Sequence, residues 1–102
     1  MADKLQALVV NNKDNVATAI TNLRKGEEVI VPFESNKQKF ILLDDIPLGH
    51  KFSLKDMHKG THIIKYGEII GLASTNISAG AHVHIHNVVS TRGRGDLAEG
   101  SL

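Results

Sequence analysis

The chain has 102 residues, 41% of them hydrophobic and 23% charged, which is the length of one domain and too short for two separate cores. Twelve Lys and Arg against eleven Asp and Glu leave a net charge of +1 spread evenly along the chain, so nothing points to nucleic acid or an anionic membrane. No apolar run approaches the ~18 residues of a membrane span, Asp3 stands where a secretory signal would want positive charge, and a cytoplasmic location is expected. Without cysteine, any metal site must be built from His, Asp, Glu and water.

Leu5 to Val10 is an apolar run closed by the turn formers Asn11 and Asn12. Asp14 or Asn15 can cap a helix whose apolar residues Val16, Ile20 and Leu23 share one face. Lys25 complements its dipole and Gly26 stops it, so one short helix is predicted near residues 15–25. From Glu28 onward the helical period disappears. Strand-like runs follow at 29–31, 39–43, 62–65, 68–72 and 82–86, and their spacing favours a mainly β sandwich or barrel-like fold. Four turn-like strings recur around Gly26, Gly49, Gly60 and Gly80. The second and fourth extend upstream as Asp45-Ile46-Pro47-Leu48-Gly49 and Asn76-Ile77-Ser78-Ala79-Gly80, which suggests two halves related by pseudo-symmetry. The Gly-rich, charge-alternating segment 91–102 reads as a flexible tail or junction after a domain at 1–90.

Six histidines are about three times average usage. Three of them, His82, His84 and His86, alternate with Val83 and Ile85. On one strand this places the imidazoles on one face and the aliphatics in the core. Imidazole is the commonest transition-metal ligand. Neighbours in such a row are ~6.7 Å apart at Cα and the outer two ~13 Å, so a divalent ion would take an adjacent pair plus a ligand from elsewhere, with His62 preferred over His50 and His58. The alternative is a row of histidines that bind nothing. Asn87 can fix an imidazole or a substrate hydroxyl through its amide.

Lys65-Tyr66-Gly67-Glu68-Ile69-Ile70-Gly71 followed by Ile77-Ser78-Ala79-Gly80-Ala81-His82-Val83-His84-Ile85-His86-Asn87-Val88 resembles the signature of the small SAF-type (antifreeze-like) domain of the altronate and galactarate dehydratase family. The resemblance extends upstream through Asp14 to Ala19 and Asp45 to Lys51, covering roughly residues 5–95. It implies a β-clip fold with two pseudo-symmetric halves, and a metal-assisted lyase acting on hydroxylated sugar acids, with Fe(II) and Mn(II) as candidate ions. Many relatives continue into a much larger catalytic region, whereas this sequence stops at Leu102. It is therefore expected to be a small subunit or N-terminal module, inactive without a large chain and contributing part of a shared site. Related small subunits of sulfolactate sulfo-lyases make sulfite an alternative leaving group.

Dehydration removes a proton α to a carboxylate and expels a hydroxyl, so the site must stabilise an enediolate. The residues on offer are His82, His84 and His86 as ligands, with His84 and His86 also as catalytic groups, and Lys65 and Asn87 as contacts for a small hydroxylated carboxylate. A non-catalytic sugar-acid-binding or assembly module and a histidine-rich metal buffer are the competing readings, and homo-oligomerisation is left open.

Overall fold

A computed structural model describes residues 5–33 and 36–90. Nine strands occur there: β1 (Ala7–Leu8), β2 (Val16–Ala19), β3 (Glu28–Phe33), β4 (Asn36–Ile41), β5 (Lys51–Ser53), β6 (His62–Lys65), β7 (Glu68–Ala73), β8 (His82–Val83) and β9 (Val88–Val89). All pairings are antiparallel, in a central sheet ordered β1-β2-β5-β8, a two-stranded ribbon β3-β4 and a three-stranded sheet β6-β7-β9. The architecture is mainly β, as the spacing of the apolar runs predicts. The segment 91–102 lies outside the described residues.

The predicted helix at 15–25 is replaced by β2 and a turn. Val16, Ala17 and Ala19 are all buried because β2 lies inside the central sheet between β1 and β5. A strand packed on both faces loses its alternation, so its apolar residues can mimic helical spacing. Ile20, the middle of the supposed apolar stripe, is 38% exposed. The supposed caps hold a different element. Asn15 Nδ2 donates to His62 O at 2.8 Å and its Oδ1 accepts from Ile64 N at 2.8 Å, while Asp14 Oδ1 accepts from Gly67 N. The two side chains thus bond the backbone of β6 and of the turn after it, as a neighbouring strand would.

Period-two alternation divides the central sheet between two cores. Ala17, Ala19 and Phe52 pack with Val29, Val31, Phe40 and Leu42. Val16 and Val83 pack with Met57, Ile63, Ala73 and Ile77. In the first core the rings of Phe40 and Phe52 meet edge to face, with centroids 5.8 Å apart.

The four glycine turns carry the pseudo-symmetry. Each has Asn or Asp, an apolar residue, two further residues and a Gly with φ between 86° and 92°. The copies interlock in pairs. Leu23 bridges Ile46, and Met57 bridges Ile77. Within a pair, each acidic or amide side chain accepts from the backbone of the other copy. Leu48 N donates to Asn22 Oδ1 and Lys25 N to Asp45 Oδ1; Ala79 N donates to Asp56 Oδ1 and Lys59 N to Asn76 Oδ1. Each Gly N–H then donates to a carbonyl of an adjoining segment: Gly26 to Leu42, Gly49 to Ala19, Gly60 to Ala73 and Gly80 to Ser53. The symmetry seen in sequence between the second and fourth copies is therefore a relation between two clasps, and β5 follows the first as β8 follows the second.

The clasps set different tolerances at their glycines. A Cβ on Gly49 would meet no atom within 4 Å, whereas one on Gly80 would overlap Ile41 O. Gly49→Ala is expected to cost only the positive-φ strain, roughly 1–2 kcal/mol. Gly80→Ala adds a backbone clash and is expected to exceed ~3 kcal/mol. Urea unfolding of the two variants checks this, and equal losses would contradict it.

Candidate metal centre

β8 ends at Val83, so the three alternating histidines do not lie on one strand. Residues 84–87 form a turn instead. Asn87 sets that turn. Its Oδ1 accepts from His84 N at 2.9 Å, its Nδ2 donates to His82 O at 2.8 Å, and its own N–H donates to His84 O at 3.1 Å. Asn87 is 6% exposed, with its amide spent on backbone, and so lies beneath the turn rather than facing a cleft. Ile85, expected to anchor a core, is thrown to the tip and is 85% exposed.

The turn gathers the rings that a straight strand would spread. His82 and His84 have centroids 5.4 Å apart, and His82 and His86 5.2 Å. His50 completes the group. Antiparallel pairing sets Lys51 opposite Val83 and Phe52 opposite His82, so His50, one residue before β5, comes abreast of His84. The rings of His50 and His84 stack at 4.1 Å, and His50 Nδ1 lies 2.9 Å from His82 Nε2.

One ring nitrogen from each of His50, His82 and His84 lies within 4.8 Å of the others. Two imidazole nitrogens on a tetrahedral ion, each ~2.1 Å from it, sit ~3.4 Å apart. The three ring nitrogens lie within a span of that order, and the donor set suits a divalent ion. His86 stands beside the group. His62, the residue preferred as a further ligand, is exposed on β6 in the other sheet and lies outside the group. The reason is topological: the strand after the third glycine turn joins the β6-β7-β9 sheet, whereas those after the second and fourth are neighbours in the central sheet. His50 was discoverable from the sequence only through its place directly after Gly49 in the second copy.

The electrostatics favour the neutral imidazole at His82 and His84. Loss of hydration lowers the His82 pKa from its ordinary value, and His50, His86 and His84 add to this against the opposing pull of Asp44. His84 is lowered likewise, by desolvation first and then by His50, Lys51 and His86. Neutral imidazole is the form that binds metal. Lys51, which the motif reading passes over, is half-buried, and its pKa is lowered by burial and then by Lys65. Lys51 and His84 line a cavity with Ile70, Ile85, Val88 and Ser90. Lys65 Nζ lies 4.8 Å over the Tyr66 ring.

Two outcomes follow for the metal-free chain. Because native His82 and His84 bind protons less readily than their unfolded counterparts, stability is retained above the unfolded value of ~6.5 and declines as pH falls below it. Denaturant midpoints are expected to drop between pH 7.5 and 5.5, and the drop should shrink when both residues are changed to Gln. Asn87→Ala leaves the His84 N–H and His82 carbonyl without partners. It is expected to cost ~1–3 kcal/mol and to separate the His82 and His84 ring signals in NMR spectra.

Comparisons with known proteins bear on what such a group serves. Residues 5–91 match the family model of the altronate/galactarate dehydratase SAF domain. Altronate dehydratase of Escherichia coli is 45% identical over 83 residues, which is 81% of this chain and 16% of that protein. Altronate dehydratase of Bacillus subtilis is 40% identical over 78 residues, 76% of this chain and 15% of that protein. The (2R)-sulfolactate sulfo-lyase subunit alpha of Paracoccus pantotrophus is 46% identical over 48 residues, 47% of this chain and 72% of the subunit. The chain thus spans about one sixth of the altronate dehydratases it matches. With the family model covering nearly every described residue, the chain belongs to the altronate/galactarate dehydratase SAF domain family.

Proposed function

We propose that this chain is the small component of a metal-assisted carbon–oxygen lyase for hydroxylated sugar acids of the altronate or galactarate type, whose site is completed by a larger catalytic chain. The observation that carries this reading is the convergence of His50, His82 and His84 in a domain whose relatives are dehydratases. His50, His82 and His84 would hold the ion, with His50 in the place first given to His86. An all-imidazole donor set suits Fe(II) better than Mn(II), which prefers oxygen ligands. When bound, a divalent ion supplies positive charge for the carboxylate and the departing hydroxyl.

The chain's own residues divide the remaining work. His86, beside His82 but outside the group of three ligands, is placed to hold or move a proton at a ring nitrogen. Lys65 offers an ammonium to a carboxylate oxygen. Asn87 acts on the chemistry only through the shape of the turn that carries His84 and His86. A second acid–base pair has to come from the larger chain.

A second reading follows from the sulfo-lyase match, of which this chain covers most of the subunit. There the same module would serve expulsion of sulfite. A non-catalytic assembly module and a metal buffer are the remaining alternatives.

Metal analysis and a reconstituted assay separate these. The purified chain is expected to bind about one equivalent of divalent metal, with His50→Ala and His84→Ala losing it and His62→Ala keeping it. Mixed with a large catalytic chain of the family, the protein is expected to form 2-keto-3-deoxy acids from sugar acids, with His84→Ala lowering turnover at least ~100-fold while assembly persists. Undiminished turnover in His84→Ala would show a non-catalytic module. Metal binding by the chain with no turnover when a large chain is added would show a buffer, and sulfite release would select the second reading.

A further inference from the structure

The cavity beside the histidine group has a composition of its own. It holds ≈ 210 Å³ and is walled by Ile70, Ile85 and Val88, with Lys51 and His84 as its two titratable residues and Ser90 also in its lining. Lys51 sits on β5 opposite Val83. Lys65 is close enough to act on it electrostatically. Lys65 lies over the Tyr66 ring and opposite Glu68 in the β6-β7 pair. Lys51 is thus partly buried near a like charge, an arrangement that an incoming anion relieves.

We propose that Lys51 and His84, with the charge of Lys65 behind them, form a binding site for one carboxylate or sulfonate group of a small organic anion, held against the metal group through the shared His84. The inference deepens the reading above and rests on its substrate class. An oxyanion of this kind accepts hydrogen bonds only, which matches an ammonium with three donors and an imidazole N–H. The aliphatic wall thins the water around that contact and so strengthens it. The volume lies below the ~300–1,000 Å³ usual for whole-ligand pockets. It therefore suits an acid head group, leaving the polyhydroxylated remainder to extend toward the histidines. His84 then belongs to both parts of the site: its ring stacks on His50 and also lines the cavity.

The test uses the full chain, metal-free and loaded with Co(II), titrated separately with acetate, malonate and methanesulfonate while backbone amide shifts are followed. Saturable shifts are expected at Lys51, Ile70, His84 and Val88 with the carboxylates, the sulfonate or both, and the ratio of their affinities distinguishes the two chemistries. Lys51→Gln is expected to weaken binding at least ~10-fold and Lys51→Arg to restore most of it, with Co(II) absorption unchanged in both. Shifts that do not saturate, or an affinity the same in Lys51→Gln, would overturn the proposal. A protein that binds these anions without any Co(II) spectrum would instead count against the metal reading alone. If only an acidic peptide of the large chain binds, the cavity is a subunit contact and the proposal is wrong.

Discussion

Reciprocal hydrogen bonds between Asn or Asp side chains and the backbone of a second, like segment are the constraint on which this small domain depends. Among the described residues the sheets are narrow and several strands have only two or three residues, too short for ladder hydrogen bonding alone to fix their relative placement. The clasps supply what the ladders lack. Each joins segments about twenty residues apart, Asn22 to Leu48 and Asn76 to Lys59 among them. The positive-φ glycine in each copy then turns the chain into the next strand. The position of β5 beside β8, and so of His50 beside His84, follows from how the two clasps sit.

What was legible in the sequence follows from which forces act locally. The β runs at 62–65 and 68–72 coincide with β6 and β7, joined by Tyr66 and Gly67, both at positive φ as a two-residue hairpin turn requires. Local chemistry alone specifies that hairpin. Val16 to Ala19 has helical spacing because burial of both faces is a tertiary fact that erases the strand period. β8 is shorter than the His-x-His alternation suggests because the residue that ends it, Asn87, acts from five residues away through its amide. The polarity of an amide does not reveal that it will be spent on the backbone.

The candidate site divides in the same way. His82 and His84 stood out because alternation in sequence is conspicuous, and the turn keeps them together by a different route from the strand that the alternation suggested. His50 and Lys51 come from the neighbouring strand, where only the register of β5 against β8 gives them meaning. Four imidazoles and a half-buried ammonium at one edge of a chain whose net charge is only +1 show how little a net charge says about a site. It is the local concentration of ring nitrogens, rather than any excess of charge, that sets this edge apart.

Phe52 has a place in both parts of the molecule. Its ring meets Phe40, on the β3-β4 ribbon, and its backbone lies opposite His82 on β8. One buried aromatic residue therefore joins the ribbon to the histidine group: its ring belongs to the first core and its backbone to the strand paired with His82, so packing in that core and the placement of His82 share one residue.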